Sequence, residues 1–204
     1  YALPFALGPN TSASQNFRAD SATQAVTVPG MEQSTVTFDA AGVGANSGAG
    51  TTTSLSWNHT AAAGADVFAF VLRGGSTTTA TYDGVAMDYV GAVSLNNDAN
   101  NGVIYVFRKS NVAAGTKTVA ITFGTATYCS ASSVSYLNVG SVTTKSVYAA
   151  AALTASQTVS GASYSMVINA IGQYCGGVDT FVSSSGGTQR YQGMGSAKYM
   201  NLVV

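Results

Sequence analysis

From Ser34 onward the chain is a series of short runs rich in Thr, Val, Ile, Tyr and Phe, separated by Gly, Asn and Asp. The repeat of an amphipathic helix is nowhere sustained, so strands and turns are the predicted elements. Thr51 to Trp57 alternates, with Leu55 and Trp57 on one face, as a half-buried strand does. Val67-Phe68-Ala69-Phe70-Val71-Leu72 is apolar without a break, which predicts a central strand covered on both sides. Thr77 to Tyr82, Asp83-Gly84 and Val85 to Val93 read as a hairpin, because Asp-Gly accepts the positive φ angles of a two-residue turn. Val103 to Phe107, Lys117 to Phe123, Ser130 to Tyr136, Leu153 to Val159 and Tyr164 to Ile171 complete the strand series. Their spacing of roughly 8–12 residues is that of sandwiches. The expected fold is all-β: an antiparallel β-sandwich of immunoglobulin-like or jelly-roll-like type, with barrel closure left open.

Residues 1–33 follow another pattern. They hold all three prolines, Pro4, Pro9 and Pro29, and only spaced apolar positions such as Leu3, Phe5, Leu7 and Phe17. This predicts an extended N-terminal arm suited to lie as a strap on a neighbouring subunit. Residues 34–172 are then the sandwich domain, and 173–204 a Gly/Ser-rich C-terminal extension placed to complete it. The chain opens on Tyr1 rather than Met, and Asn201-Leu202-Val203-Val204 reads like the middle of a strand, as in a chain trimmed at either end.

Composition changes the picture of the surface. Apolar residues are 46%, enough for a core, but charged residues are only 8% and the formal net charge is zero. Ordinary globular domains carry about a quarter charged residues. With no cationic field, a nucleic-acid partner is not expected, and little electrostatic repulsion keeps copies apart. No apolar run approaches the roughly 20 residues needed to cross a bilayer, so membrane insertion is not expected either. Cys129 and Cys175 each follow a tyrosine in a strand-like context, and either two buried thiols or one disulfide fits that setting.

Candidate chemistry is sparse. Asp83 and Asp88 are the only close carboxylate pair in the sandwich region, and Asp83 already serves the turn. His59, in Trp57-Asn58-His59-Thr60, is the sole histidine, so a Ser-His-Asp arrangement would depend on it alone, and it reads as a loop or strand-end residue. Asn96 to Gly102 spaces oxygen ligands loosely like a calcium loop but offers one carboxylate, Asp98, and reads as a hairpin loop. Asn10-Thr11-Ser12 and Asn58-His59-Thr60 match a glycosylation pattern that this composition produces by chance. Gly193-Met194-Gly195 is too short for a phosphate cradle and reads as loop. No catalytic site, cofactor or metal is expected. Among 11 tyrosines, Tyr191 and Tyr199 in the Gly-rich terminal region are the expected exposed ones, and hence the candidate surface-binding residues.

Five pieces lie in order along the sandwich region: Ser54-Leu55-Ser56-Trp57-Asn58-His59-Thr60; the strand Val67 to Leu72; Thr81-Tyr82-Asp83-Gly84-Val85-Ala86-Met87 with Val90-Gly91; Val103 to Arg108; and Val134-Ser135-Tyr136-Leu137-Asn138-Val139. With Ala114 to Val119 as the turn opening a further strand, they resemble a β-sandwich module of virion proteins, often labelled minor tail proteins, in tailed phages infecting actinobacteria, and of some secreted bacterial proteins. The resemblance runs from Thr51 to about Gly172, a little over half the chain, and its motifs are structural rather than catalytic. It implies a virion location and a tail-associated structural role, with other virion proteins and copies of the chain itself as partners. A capsid decoration protein, or a carbohydrate-binding adhesin contacting a host cell-surface glycan, are its alternatives.

Overall fold

The β-prone runs form thirteen strands and two single-turn 3-10 helices among the described residues, with no α-helix. The structure is a computed structural model that describes residues 34–48, 50–74, 78–97, 99–146, 161, 163–174, 188–194 and 200–204. Sheet A contains β1 (Thr37–Ala41), β2 (Ala45–Asn46), β4 (Asp66–Arg73), β7 (Asp88–Ser94), β8 (Val103–Lys109) and β10 (Cys129–Leu137). Its order is β1-β10-β4-β8-β7, with β2 also on β10. Sheet B is β3 (Thr52–Ala61), β9 (Gly115–Thr127), β5 (Thr78–Tyr82) and β6 (Val85–Ala86), in that order. Sheet C is β11 (Ile171–Tyr174), β13 (Met200–Val203) and β12 (Gln192–Met194). The pairings are antiparallel, and sheets A and B remain separate ladders rather than closing into a barrel.

Sheet A is the middle layer. On one face Val67, Ala69 and Val71 of β4 and Ala131 of β10 pack with Leu55 and Trp57 of β3 and Val119, Ile121 and Phe123 of β9. On the other, Phe68, Phe70, Leu72, Ile104 and Val134 pack with Leu202 and Val204. All eight residues of β4 are buried, so the uninterrupted apolar run is the central strand its sequence predicts. Burying each large apolar side chain stabilises the fold by roughly 1.5–3 kcal/mol. A row of rings crosses sheet A: Arg190 lies 3.6 Å from the centroid of Phe38, Phe38 meets Tyr136 edge-on at 5.7 Å, Tyr136 meets Phe68 at 6.5 Å, and Arg108 lies 6.0 Å from the Phe68 centroid. Cations at both ends face the electron-rich ring surfaces. Arg108 also pairs with the buried Asp66, which accepts the Asn111 N–H at 2.8 Å.

Two expectations need correction. The hairpin is present, with Asp83 and Gly84 at φ 51° and 75° as its turn requires. Its second strand, however, does not continue to Val93: only Val85 and Ala86 pair with β5. The Met87 N–H still bonds the Ala80 carbonyl at 3.0 Å, its side chain enters the core between the sheets, and the chain then crosses to sheet A, where Asp88–Ser94 pairs with β8. Tyr164 to Ile171 is not a strand either; only Ile171 joins a ladder. Tyr164 sits at φ 68°, outside the extended region, and Tyr164, Met166 and Val167 are exposed; Ile168 and Ala170 do pack against the core on the sheet C side, but as unpaired chain before β11.

The compact unit begins at Thr35, one residue from the sequence boundary. The expected break at 172 cuts through β11, and the described part of the C-terminal segment builds the third layer, sheet C, rather than extending sheets A and B. The expected arm over 1–33, the expected strand Leu153 to Val159, Tyr199 and Cys175 lie outside the described residues.

Candidate functional site

The alternation of β3 turns Leu55, Trp57, His59 and Ala61 toward sheet A. That of β10 turns Ser133 and Ser135 the other way, so the two strands meet through polar groups. His59 Nδ1 lies 2.8 Å from Ser133 Oγ and Nε2 lies 2.9 Å from Ser135 Oγ. The Trp57 Nε1–H donates to Ser133 Oγ at 2.8 Å, and the Ser135 hydroxyl donates to Asp39 Oδ2 at 2.7 Å. Asp39, on β1, also accepts the Ala62 N–H at 3.0 Å.

Donor and acceptor capacity fixes the direction of this chain. A carboxylate only accepts, so the single Ser135 proton goes to Asp39, and Ser135 Oγ must accept from His59 Nε2–H. Neutral imidazole carries one proton, so Nδ1 accepts from the Ser133 hydroxyl, whose oxygen in turn accepts from Trp57. Bonds run one way, Trp57 to Ser133 to His59 to Ser135 to Asp39, and this logic assigns the Nε2–H tautomer.

His59, Ser133 and Ser135 expose 1%, 0% and 0% of their surface. A Cβ added to Gly42 would lie 2.5 Å from Ser133 Oγ and 3.1 Å from His59 Nδ1, so backbone seals the group. Asp39 reaches His59 only through Ser135, which differs from the carboxylate-to-imidazole contact of a hydrolytic triad. What the arrangement does chemically is bridge the sheets, tying β3 to β10 and β1. His59, expected at a loop or strand end, is instead an interior residue of β3 with both ring nitrogens engaged. The sequence exposed the lone histidine but not the serines 74 and 76 positions away.

Burial pulls the His59 pKa below its ordinary value of 6.5, and the Asp39 charge opposes this more weakly. The unfolded chain therefore binds a proton near pH 6.5 that the folded chain refuses. Stability is fully present above that pH and declines as pH falls through it, by up to about 1.4 kcal/mol per pH unit. Urea titrations across this range should show the slope, and His59→Gln should remove it; an unchanged slope in the variant rejects the assignment.

The other sequence candidates are dispersed. Asp83 pairs with Lys117 at 2.8 Å on the sheet B hairpin, whereas Asp88 opens β7 in sheet A opposite Arg108. The Asn-rich segment joins β7 to β8 through the two 3-10 turns, Leu95–Asn97 and Ala99–Asn101, and is closed by the Leu95 N–H to the Gly102 carbonyl at 2.8 Å, with Asn97 at φ 54°. Gly193, expected in a loop, lies in β12, where its carbonyl accepts the Ser130 hydroxyl at 3.0 Å. That leaves the Tyr191 hydroxyl to donate to Ser130 Oγ at 3.3 Å. Tyr191, expected to be exposed, is half-buried; its ring fills the space above Gly44, and burial raises its pKa. It fastens sheet C to sheet A. Tyr89 and Tyr164 are the strongly exposed tyrosines among the described residues, at 62% and 57%. Cys129 carries a free, buried thiol whose pKa burial pushes up to about 12.

One surface was not singled out by sequence. The outer face of sheet B presents Ser54, Ser56, Asn58 and Thr60 from β3, Thr116, Thr118, Ala120 and Thr122 from β9, and Thr79 and Thr81 from β5. Ser54, Thr122 and Thr79 align across three strands, as do Ser56, Ala120 and Thr81. Thr60 and Thr116 hydroxyls bond at 2.7 Å, and the Thr118 hydroxyl donates to Asn58 Oδ1 at 3.5 Å. Thr81 and Ala120 are half-buried and the others exposed. Among the described residues, no charged side chain stands on this face; Lys117 shares the inward parity of Val119 and Ile121 and turns to Asp83 at the rim. Comparison of the chain with protein-family models, with curated proteins and with solved structures finds no match.

Proposed function

We propose that this chain is a structural protein of a bacteriophage virion, tail-associated, that acts by assembling with copies of itself and with other virion proteins. The observation that carries the reading is the ordered set of sequence pieces between Ser54 and Val139. They fall on β3, β4, β5 to β7, β8 and β10, the strands that make the two-sheet core and its His59 bridge. The resemblance thus concerns residues that hold a scaffold together rather than residues that would act on a substrate. A net charge of zero and an outer sheet face of hydroxyl groups support an assembly role, because little charge has to be desolvated when such surfaces meet. A sandwich fold hosts many functions, so the reading stands on its test.

Gold-labelled antibodies against the chain, applied to intact particles of the phage that encodes it, are expected to decorate the tail. Label on the head transfers the chain to the capsid decoration alternative. Particles free of label, together with absence of the chain from purified virions by mass spectrometry, reject the virion reading outright.

A further inference from the structure

We propose that the outer face of sheet B is a self-association surface, occupied by the same face of a second copy of this chain; the proposal rests on the assembly reading and names the surface that performs it. Three properties of the face point to this occupant. Its described side chains are uncharged; at the rim Asp83 and Lys117 are paired with each other, and at the edge strand the Lys109 ammonium donates to the Ala86 carbonyl at 3.3 Å. Burying an ion costs several kcal/mol, whereas a hydroxyl can exchange water for another hydroxyl at little net cost.

Self-complementarity is the second property. Each Ser and Thr hydroxyl both donates and accepts, and Asn58 carries both functions on one amide. A lattice of such groups can pair with its own two-fold-related copy, which a face of one charge sign cannot do. The third is shape and chemistry together. Aligned rows on three antiparallel strands, with Thr methyl groups beside Ala120 and Ala86, offer a surface that a second sheet can approach at the usual stacking distance of about 10 Å. Among the described residues the face has no aromatic ring on which a sugar could stack. Small polar side chains make each pairing weak, and it gains its force from repetition in a multi-copy particle.

The test uses the full chain. Sedimentation equilibrium at moderate salt should show concentration-dependent association of the wild type. Ser56→Lys and Thr118→Glu each place one charge on the face without touching the core, and each should weaken association by roughly tenfold or more, since buried or like charges at an interface are unfavourable. Mixing the two variants should restore association toward the wild-type level, because a lysine face then meets a glutamate face. Thermal melts matching the wild type establish that both variants are folded.

The proposal is overturned by any of three results: a wild type that stays monomeric throughout, variants that associate as the wild type does, or a mixture as weak as either variant alone. Retention of the wild type, but not the variants, on an immobilised neutral polysaccharide such as dextran, with association unaltered, assigns the face to sugar and also overturns it. Virions that carry the chain while the variants associate normally remove this inference alone. Unlabelled virions with charge-sensitive association remove the virion reading and leave the self-association surface in place.

Discussion

Gly44→Ala is expected to lower the unfolding free energy by about 4 kcal/mol. The backbone at Gly44 has φ 67°, a left-handed conformation that costs a residue with a Cβ roughly 1–2 kcal/mol. The added carbon would also stand 2.6 Å from the Ala131 carbonyl oxygen and 2.3 Å from Tyr191 Cε2. The carbonyl belongs to β10 in the middle of sheet A and has little freedom, so the tyrosine ring must leave. Its displacement gives up the burial of a half-buried ring, worth roughly 1–1.5 kcal/mol, and the bond to Ser130, worth about another 1 kcal/mol. Gly48 is the control, because it has φ 61° and no atom within 4 Å of an added Cβ. Gly48→Ala should therefore lose only about 1 kcal/mol, the backbone share. Urea denaturation of both variants separates the two causes, and Tyr191→Ala should make Gly44→Ala less costly in a double-mutant cycle. Equal losses at Gly44 and Gly48, or full additivity with Tyr191→Ala, would show that the tyrosine is not seated as described.

Ser133→Ala and Ser132→Ala should behave in opposite ways although the residues are adjacent and both fully buried. Ser133 links the Trp57 N–H to His59 Nδ1, so its loss strands a donor and an acceptor in the interior. Each stranded group costs about 1–3 kcal/mol, and a total near 4 kcal/mol is expected. Ser132 faces sheet C, and its hydroxyl has no hydrogen-bond partner among the described residues. Removing it abolishes a desolvation penalty, so Ser132→Ala should be neutral or stabilising by up to about 1 kcal/mol. Calorimetric melting temperatures read both changes. A stabilised Ser133→Ala would refute the directed bond chain, and a clearly destabilised Ser132→Ala would refute the unbonded hydroxyl. The single histidine also permits a direct view, because its ring nitrogen shifts report whether Nε2 carries the proton.

How much of this was legible before the structure depends on what each pattern encodes. β4 was legible because burial on both faces removes every polar residue from Val67 to Leu72. The Asp83-Gly84 turn was legible because so few residues accept positive φ. β10 was legible as a strand, but not as one buried on both faces, because Ser serves this chain equally as surface and as interior polar residue. In a chain with ordinary charge content, exposed strand positions would carry Lys or Glu and stand apart. The His59 bridge required the register of strands from different sheets, which local pattern does not contain. The crossover at Met87 was hidden because one apolar residue between Ala86 and Asp88 looks the same in a continuing strand and in a chain changing sheets. Tyr191 misled for a compositional reason: its Gly-rich surroundings read as exposed loop, whereas Gly44 and Gly193 are there to let the ring approach the backbone.

The three-layer order of the sheets bears on how the chain reaches its native state. Phe68, Phe70 and Leu72 are synthesised well before the strand that covers them, Met200–Val203, which is the last described element to leave the ribosome. This apolar face of sheet A must therefore wait for its covering strand through the making of more than a hundred further residues. Contacts so distant along the chain make for slow closure, and an open apolar sheet in the meantime is a target for chaperones and for misassembly with other nascent copies. Expression at low temperature or with added holdase capacity should raise the soluble yield for this kinetic reason, independently of the final stability.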